Sequence, residues 1–233
     1  MTITFLYHSA FLVELDSCSM LFDWYGGELP AIDRTKPLYV FATHHHGDHY
    51  SPEIFRFGME NVTYILATCI RLSAKRKAAL AIDESRVHRL SAGKTVEIGG
   101  LTVTTIRSTD AGVAFLVREG ETALFHAGDL NWWHWAEESS DWNEKMARDF
   151  AKSCEKLRGV TVDAAFLPLD PRQGEEFYWG FDRFMTTLEA KIAFPMHCWE
   201  DFSVIPRLKA LDCSAGYRER VADITANGQV FRV

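Results

Sequence analysis

"FATHHHGDHY" occupies residues 41–50 and places four of the nine histidines and one aspartate within six positions, directly after the apolar run "LYVFAT". A histidine tag would be terminal and polar-flanked, whereas this cluster is internal and follows a strand-like segment. His44, His46, Asp48 and His49 form H-x-H-x-D-H, a pattern that composition alone produces in roughly 1 in 1,000 chains of this size. Neutral imidazole and carboxylate are good ligands for Zn²⁺ and also suit Fe or Mn. In an extended segment alternate residues face the same way, so His44 and His46 are expected to project together. Asp48 and His49 continue past them, positioned for a second ion. His45 is expected to point away.

Outward from this stretch, the chain alternates strands and helices. "TITFLYH", "AFLVELD", "SMLFDWY" and "TYILAT" read as further strands. Ser51-Pro52 is suited to start a helix, and "IRLSAKRKAALA" is helix-prone. "KTVEIGGLTVTTIRS" and "GVAFLVREGETALFHAGD" read as hairpins, turning at Gly99-Gly100 and Glu119-Gly120. Met146, Ala147, Phe150, Ala151, Cys154 and Leu157 fall at helical spacing and predict one apolar stripe. "VDAAFLPLD" and "AKIAFPMH" read as strands flanking a short helix that carries Phe181, Phe184, Met185 and Leu188. A helix near 204–211 and a strand or hairpin around Asn227-Gly228 finish the chain. Ligand-type residues recur just past strand ends: Asp23, His44, Asp110, Asp129, Asp170 and His197. Rigid strands that deliver side chains to one rim are a way for an α/β layered fold to build a site.

The bulk properties narrow the partners. With 233 residues and 47% hydrophobic content, the chain suits one large domain, taken as 1–233, or two closely joined halves. A net charge of −7 argues against binding dominated by nucleic-acid phosphates. The one compact basic run, Arg71, Lys75, Arg76 and Lys77, reads as a solvated helix face. Five cysteines without CxxC spacing indicate a reducing, cytoplasmic setting. The N-terminus lacks the features of a signal peptide, and no stretch approaches the ~20 apolar residues of a membrane helix. The expected partner is a small-molecule substrate, with neither nucleic acid nor membrane; oligomeric state stays open.

"YHSAFLVE", "LFD", "THHHGDH", "LFHAGD" and "FPMH" together resemble the metallo-β-lactamase-fold hydrolase superfamily, and most of all its ascorbate-phosphate lactonase-like branch. The resemblance implies an α/β fold, a four-layer αββα sandwich with metals at the edge between two sheets. It implies that His44 and His46 hold a first ion, that Asp48, His49 and His197 hold a second, and that Asp129 bridges them. Two divalent ions are expected, zinc first, with manganese or iron as alternatives. Asp48 is the expected catalytic residue, holding the attacking water or relaying its proton.

The chain departs from the superfamily at one place. A third histidine for the first ion is usual in the loop that here reads "TIRSTDAGVAFLV". Asp110 stands there instead, either as a replacement ligand aided by Ser108 or Thr109, or as the cap of a turn. A carboxylate in place of imidazole would make the site harder, favouring Mn or Fe. His126 is expected beside the site without binding metal, and Cys198 as a buried neighbour. Asp23 is expected to orient a metal-bound imidazole.

The substrate side is less defined. His8 is expected either to touch substrate or to be buried structurally. Trp132, Trp133 and His134 follow Asp129 in a segment with four tryptophans in eleven residues, which either lines a pocket or roofs a core. Indole faces suit sugars, flat rings or cations. Arg172 offers a planar fork for a carboxylate or phosphate, or pairs with Asp170 or Glu175. The expected activity is metal-dependent hydrolysis of an ester, lactone, amide or phosphoester. The competing reading is a non-catalytic sensor or scaffold that binds metal or ligand.

Overall fold

The computed structural model describes the whole chain, Met1–Val233, which packs as two compact units: Met1–Ser91 with Asn227–Val233, and Ala92–Ala226. Each unit carries one sheet with flanking helical segments, giving a mixed α/β architecture.

In the first unit the strands are β1 (Thr2–Tyr7), β2 (Ala10–Glu14), β3 (Ser19–Phe22), β4 (Leu38–Ala42), β5 (Val62–Ala67) and β6 (Val87–Leu90), with the short helix α1 (Ala74–Ala79) between β5 and β6. They pair in sequence order, and the C-terminal strand Gln229–Arg232 adds antiparallel to β1. It forms no hairpin at Asn227-Gly228; its partner is the other end of the chain. β1, β2 and β3 are antiparallel, and β3 to β6 are parallel. β4 is buried along its whole length, as expected of an apolar run in parallel pairing. Leu38, Val40 and Ala42 alternate onto one face, where they meet Leu12, Leu21, Leu66, Ile54 and Ile70. Ser51 caps the 3₁₀ turn Pro52–Arg56 that presents Ile54 to this core. α1 has no buried residue, so its basic face is solvated as its composition predicts.

In the second unit the strands are β7 (Thr95–Ile98), β8 (Leu101–Arg107), β9 (Val113–Glu119) and β10 (Thr122–His126), followed by α2 (Ser140–Cys154), β11 (Thr161–Pro168), α3 (Trp179–Thr187), β12 (Glu189–Met196) and α4 (Val204–Ala210). β7 to β10 form an antiparallel meander, and β10, β11 and β12 are parallel. The β7–β8 turn requires two successive left-handed residues, met by Gly99 (φ 57°) and Gly100 (φ 91°). Phe184 of α3 packs on Phe125 of β10 and on Phe150 of α2, with ring centroids 5.6 and 5.1 Å apart. The α2 stripe is narrower than its spacing predicts: Phe150, Cys154 and Leu157 are buried, while Ala151 is exposed. No helix is long and apolar enough to cross a membrane.

The parallel pairing explains the recurrence of ligand-type residues past strand ends. Asp23 and His44 follow the C-termini of neighbouring β3 and β4. Asp129, Asp170 and His197 follow those of β10, β11 and β12. Open α/β sheets expose their binding groups at this carboxyl edge.

Candidate metal centre

In the first unit, Asp23 is the fixed point. It is fully buried, sits in a left-handed conformation (φ 45°), and accepts from Thr43 N–H at 2.7 Å and Thr43 Oγ1 at 2.6 Å. Its Oδ2 also accepts from His49 Nδ1 at 2.7 Å. Thr43 spends its one hydroxyl proton on Asp23, so the 3.0 Å contact between Thr43 Oγ1 and His44 Nδ1 makes that nitrogen the donor. One carboxylate therefore assigns both rings the same tautomer, with Nδ1 protonated and Nε2 offering its lone pair. Donor atoms of Asp23, His44 and His49 lie within 4.8 Å of one another.

The H-x-H-x-D-H segment is not extended throughout. His49 N–H and Tyr50 N–H both donate to His46 O, at 3.1 and 3.0 Å, and close a turn. This turn folds His49 back to 4.2 Å from the His44 ring, while His44 and His46 lie 4.6 Å apart by their centroids. His45 is exposed. Asp48 is half-buried, with His8 Nε2 at 3.5 Å from its Oδ2. The neighbouring His8 imidazole holds the Asp48 carboxyl well below the usual carboxylate range, against the opposing effect of burial. His8 itself is buried, with a left-handed backbone (φ 47°) and its ring 5.5 Å from that of His49.

The second unit repeats this device. His197 Nδ1 donates to the buried Asp170 at 2.9 Å, leaving Nε2 as the lone-pair nitrogen. His197 Nε2 lies 3.5 Å from Asp129 Oδ1. Two atoms that each bind a tetrahedral ion at about 2.1 Å are separated by about 3.4 Å, so this spacing suits shared coordination better than a direct hydrogen bond. Arg172 grips Asp170 through Nε at 3.0 Å and Nη2 at 2.6 Å, and its guanidinium lies over Trp199 at 4.3 Å and Trp135 at 5.7 Å. Burial works to raise the Asp170 carboxyl; His197 and Arg172 outweigh it and hold it below its ordinary value.

The aromatic segment divides by alternation. Trp133 donates Nε1–H to Asp129 O at 3.0 Å and packs on His197 with centroids 5.5 Å apart. Trp132 and His134 turn the other way, both against Trp179 at 5.0 and 5.1 Å, in a separate cavity of about 470 Å³. Asp110 is exposed in a turn, its N–H bonded to Ser108 Oγ at 3.2 Å. Thr109 Oγ1 is bonded to Asn131 O at 2.7 Å, which ties this turn to the chain just after Asp129. His126 Nδ1 accepts from Gly128 N–H at 3.2 Å and so shapes the turn that carries Asp129. Cys198 donates to Met196 O at 3.6 Å, and burial pushes its thiol far up. Sequence reasoning offered Asp170 as a partner for Arg172, which the structure bears out, but not for His197, and it gave Thr43 no role.

The profile of the family described as the Beta-lactamase superfamily domain matches residues 2–139. A UPF0173 metal-dependent hydrolase of Methanopyrus kandleri is 26% identical over 147 residues, which are 55% of this chain and 62% of that protein. The structure of Igni18, a metallo hydrolase from Ignicoccus hospitalis, superposes with a TM-score of 0.63 at 17% identity, covering 100% of this chain and 98% of the other. The metallo-beta-lactamase fold protein YhfI from Bacillus subtilis does so with a TM-score of 0.60 at 12% identity, covering 99% of each chain.

Proposed function

Because the chain belongs to the beta-lactamase superfamily and has the metallo-β-lactamase fold, we propose that it is a metal-dependent hydrolase of a small molecule carrying an ester, lactone, amide or phosphoester. The observation that carries this reading is the 3.5 Å separation of His197 Nε2 and Asp129 Oδ1, with Asp170 holding the imidazole in its ligand tautomer. In this reading His44, His46, Asp48 and His49 would hold divalent metal in the first unit, and Asp110, Asp129 and His197 would supply the ligands of the second, with two ions expected. The donor set is imidazole nitrogen and carboxylate oxygen without thiolate, which suits zinc and also manganese or iron.

Bound ions would supply acidification of water and polarisation of the scissile oxygen. The chain's own residues do the rest. Asp48, kept ionised by His8, either holds the attacking water or relays its proton. Asp23 and Asp170 keep the imidazoles oriented through the cycle. Trp133 covers one side of His197, and its indole narrows water access there.

Turnover of generic esters, lactones and phosphodiesters, measured after loading with Zn, Mn or Fe, tests the proposal. Hydrolysis that chelation abolishes, and that Asp48→Asn loses while retaining metal, is the expected result. Tight metal binding with no turnover across the panel would instead support a sensor or scaffold.

A further inference from the structure

A basic cavity of about 560 Å³ lies in the second unit, between one face of α2 and the turn after β8. Lys145, Asp149, Lys152 and Lys156 follow one another at steps of four, three and four residues, so they share one helix face. Arg107, Ser108 and Asp110 line the opposite wall. Four cationic side chains thus meet two carboxylates in a chain whose net charge is −7. Lys145 is neutralised by Asp149 at 2.6 Å. Arg107 and Lys156 have no carboxylate at ion-pair distance. The cations come from segments roughly 40 residues apart, so no local charge run signals the cluster.

We propose that this cavity binds a small, multiply charged oxyanion such as a phosphate ester or diphosphate. The volume is that of a small-molecule site, and a strongly polar wall selects a strongly polar ligand. Arg107 supplies a planar fork, while Lys152 and Lys156 supply point charges. The ligand would also touch the turn that carries Asp110, which Thr109 ties to the backbone after Asp129. Two sources share this chemistry: the anionic end of a substrate, or a separate effector. The site stands without the metal reading.

Calorimetric titration of the full chain with inorganic pyrophosphate tests it, run in chelator-treated and metal-loaded protein. Binding is expected in both, weakening as salt rises. Arg107→Gln with Lys156→Gln should weaken it by about tenfold or more, given the strength of charge-assisted hydrogen bonds. Arg71→Gln, on the exposed basic run of the first unit, should leave it unchanged. Absence of binding, binding only with metal present, or equal binding by the double variant would each overturn the site. Competition with a hydrolysed ester would identify a substrate anchor, and a change of rate without competition would identify an effector; either supports the site. Unchanged metal content in the double variant separates this result from failure of the metal centre.

Discussion

His197 donates its Nδ1–H to Asp170 at 2.9 Å, and Asp170 is in turn clamped by Arg172. His49 stands in the same relation to Asp23, which is held by Thr43. The two units share one device: a buried carboxylate accepts from Nδ1–H and so sets the tautomer in which Nε2 carries the lone pair.

Removing either carboxylate should therefore weaken metal binding without deleting a ligand. Asp170→Asn and Asp23→Asn are each expected to lower zinc affinity by about 10–100-fold. Competition against a chromogenic chelator measures this. Wild-type affinity in both variants would remove the orienting role.

The three adjacent histidines should separate sharply. His44 is buried against Thr43 and His49, whereas His45 is exposed. His45→Ala should keep wild-type metal content. His44→Ala should lose more affinity than the roughly 10–100-fold attached to an outer hydrogen-bond partner. Elemental analysis after dialysis distinguishes them, and equal loss in both would contradict the assignment.

Asp110 is exposed in a turn that Ser108 and Thr109 stabilise. Asp110→Ala should reduce metal stoichiometry or affinity while shifting the melting temperature little. Unchanged stoichiometry and affinity would make it a turn residue and nothing more.

Gly180 tests the packing behind Asp129. A Cβ at this position would lie 1.7 Å from Asn131 Oδ1 and 3.0 Å from Trp132 N. Asn131 is buried and held by Gln173 at 2.9 Å, so it has little room to retreat. Helix propensity favours Ala over Gly by about 1 kcal/mol, but overpacking costs about 1–3 kcal/mol. Gly180→Ala should therefore lower stability, by about 2–4 °C in melting temperature per kcal/mol. An unchanged or raised melting temperature would show that the loop yields.

Asp163 joins three parallel strands, accepting from Ala123 N–H at 2.8 Å and Lys191 Nζ at 2.6 Å. Burial tends to raise its carboxyl, and these two donors outweigh that and hold it below its ordinary value. Lys191 is correspondingly held above its own. The carboxylate's contribution is complete above the unfolded value near ~4 and is lost as pH falls through the folded value. The ammonium's contribution is complete below ~10.4 and is lost as pH rises through its raised value. Wild-type protein should thus exceed Asp163→Asn in stability at neutral pH, with the gap closing in acid and in strong alkali. Urea midpoints across pH read this; a gap that persists at pH ~2 would contradict it.

Much of this was legible in the residues alone. Apolar runs bounded by glycine and polar turns marked the strands, because side-chain periodicity is a local property. The H-x-H-x-D-H spacing, "HAGD" and "FPMH" pointed to metal chemistry because ligand types are rare enough to stand out. Arg172 with Asp170, and Asp23 with an imidazole, were among the expectations; the other choices of partner needed the tertiary structure. Asp170 looked like one strand-end acid among several until β11 and β12 paired in parallel and set it beside His197. Trp132 and Trp133 are neighbours in sequence, yet backbone alternation sends one to Trp179 and the other to His197. Arg107 and the lysines of α2 share a cavity only because chain packing brings them together. Hydrogen bonds and ion pairs act over a few ångströms in space, and the distance between residues along the chain does not record which of them come that close.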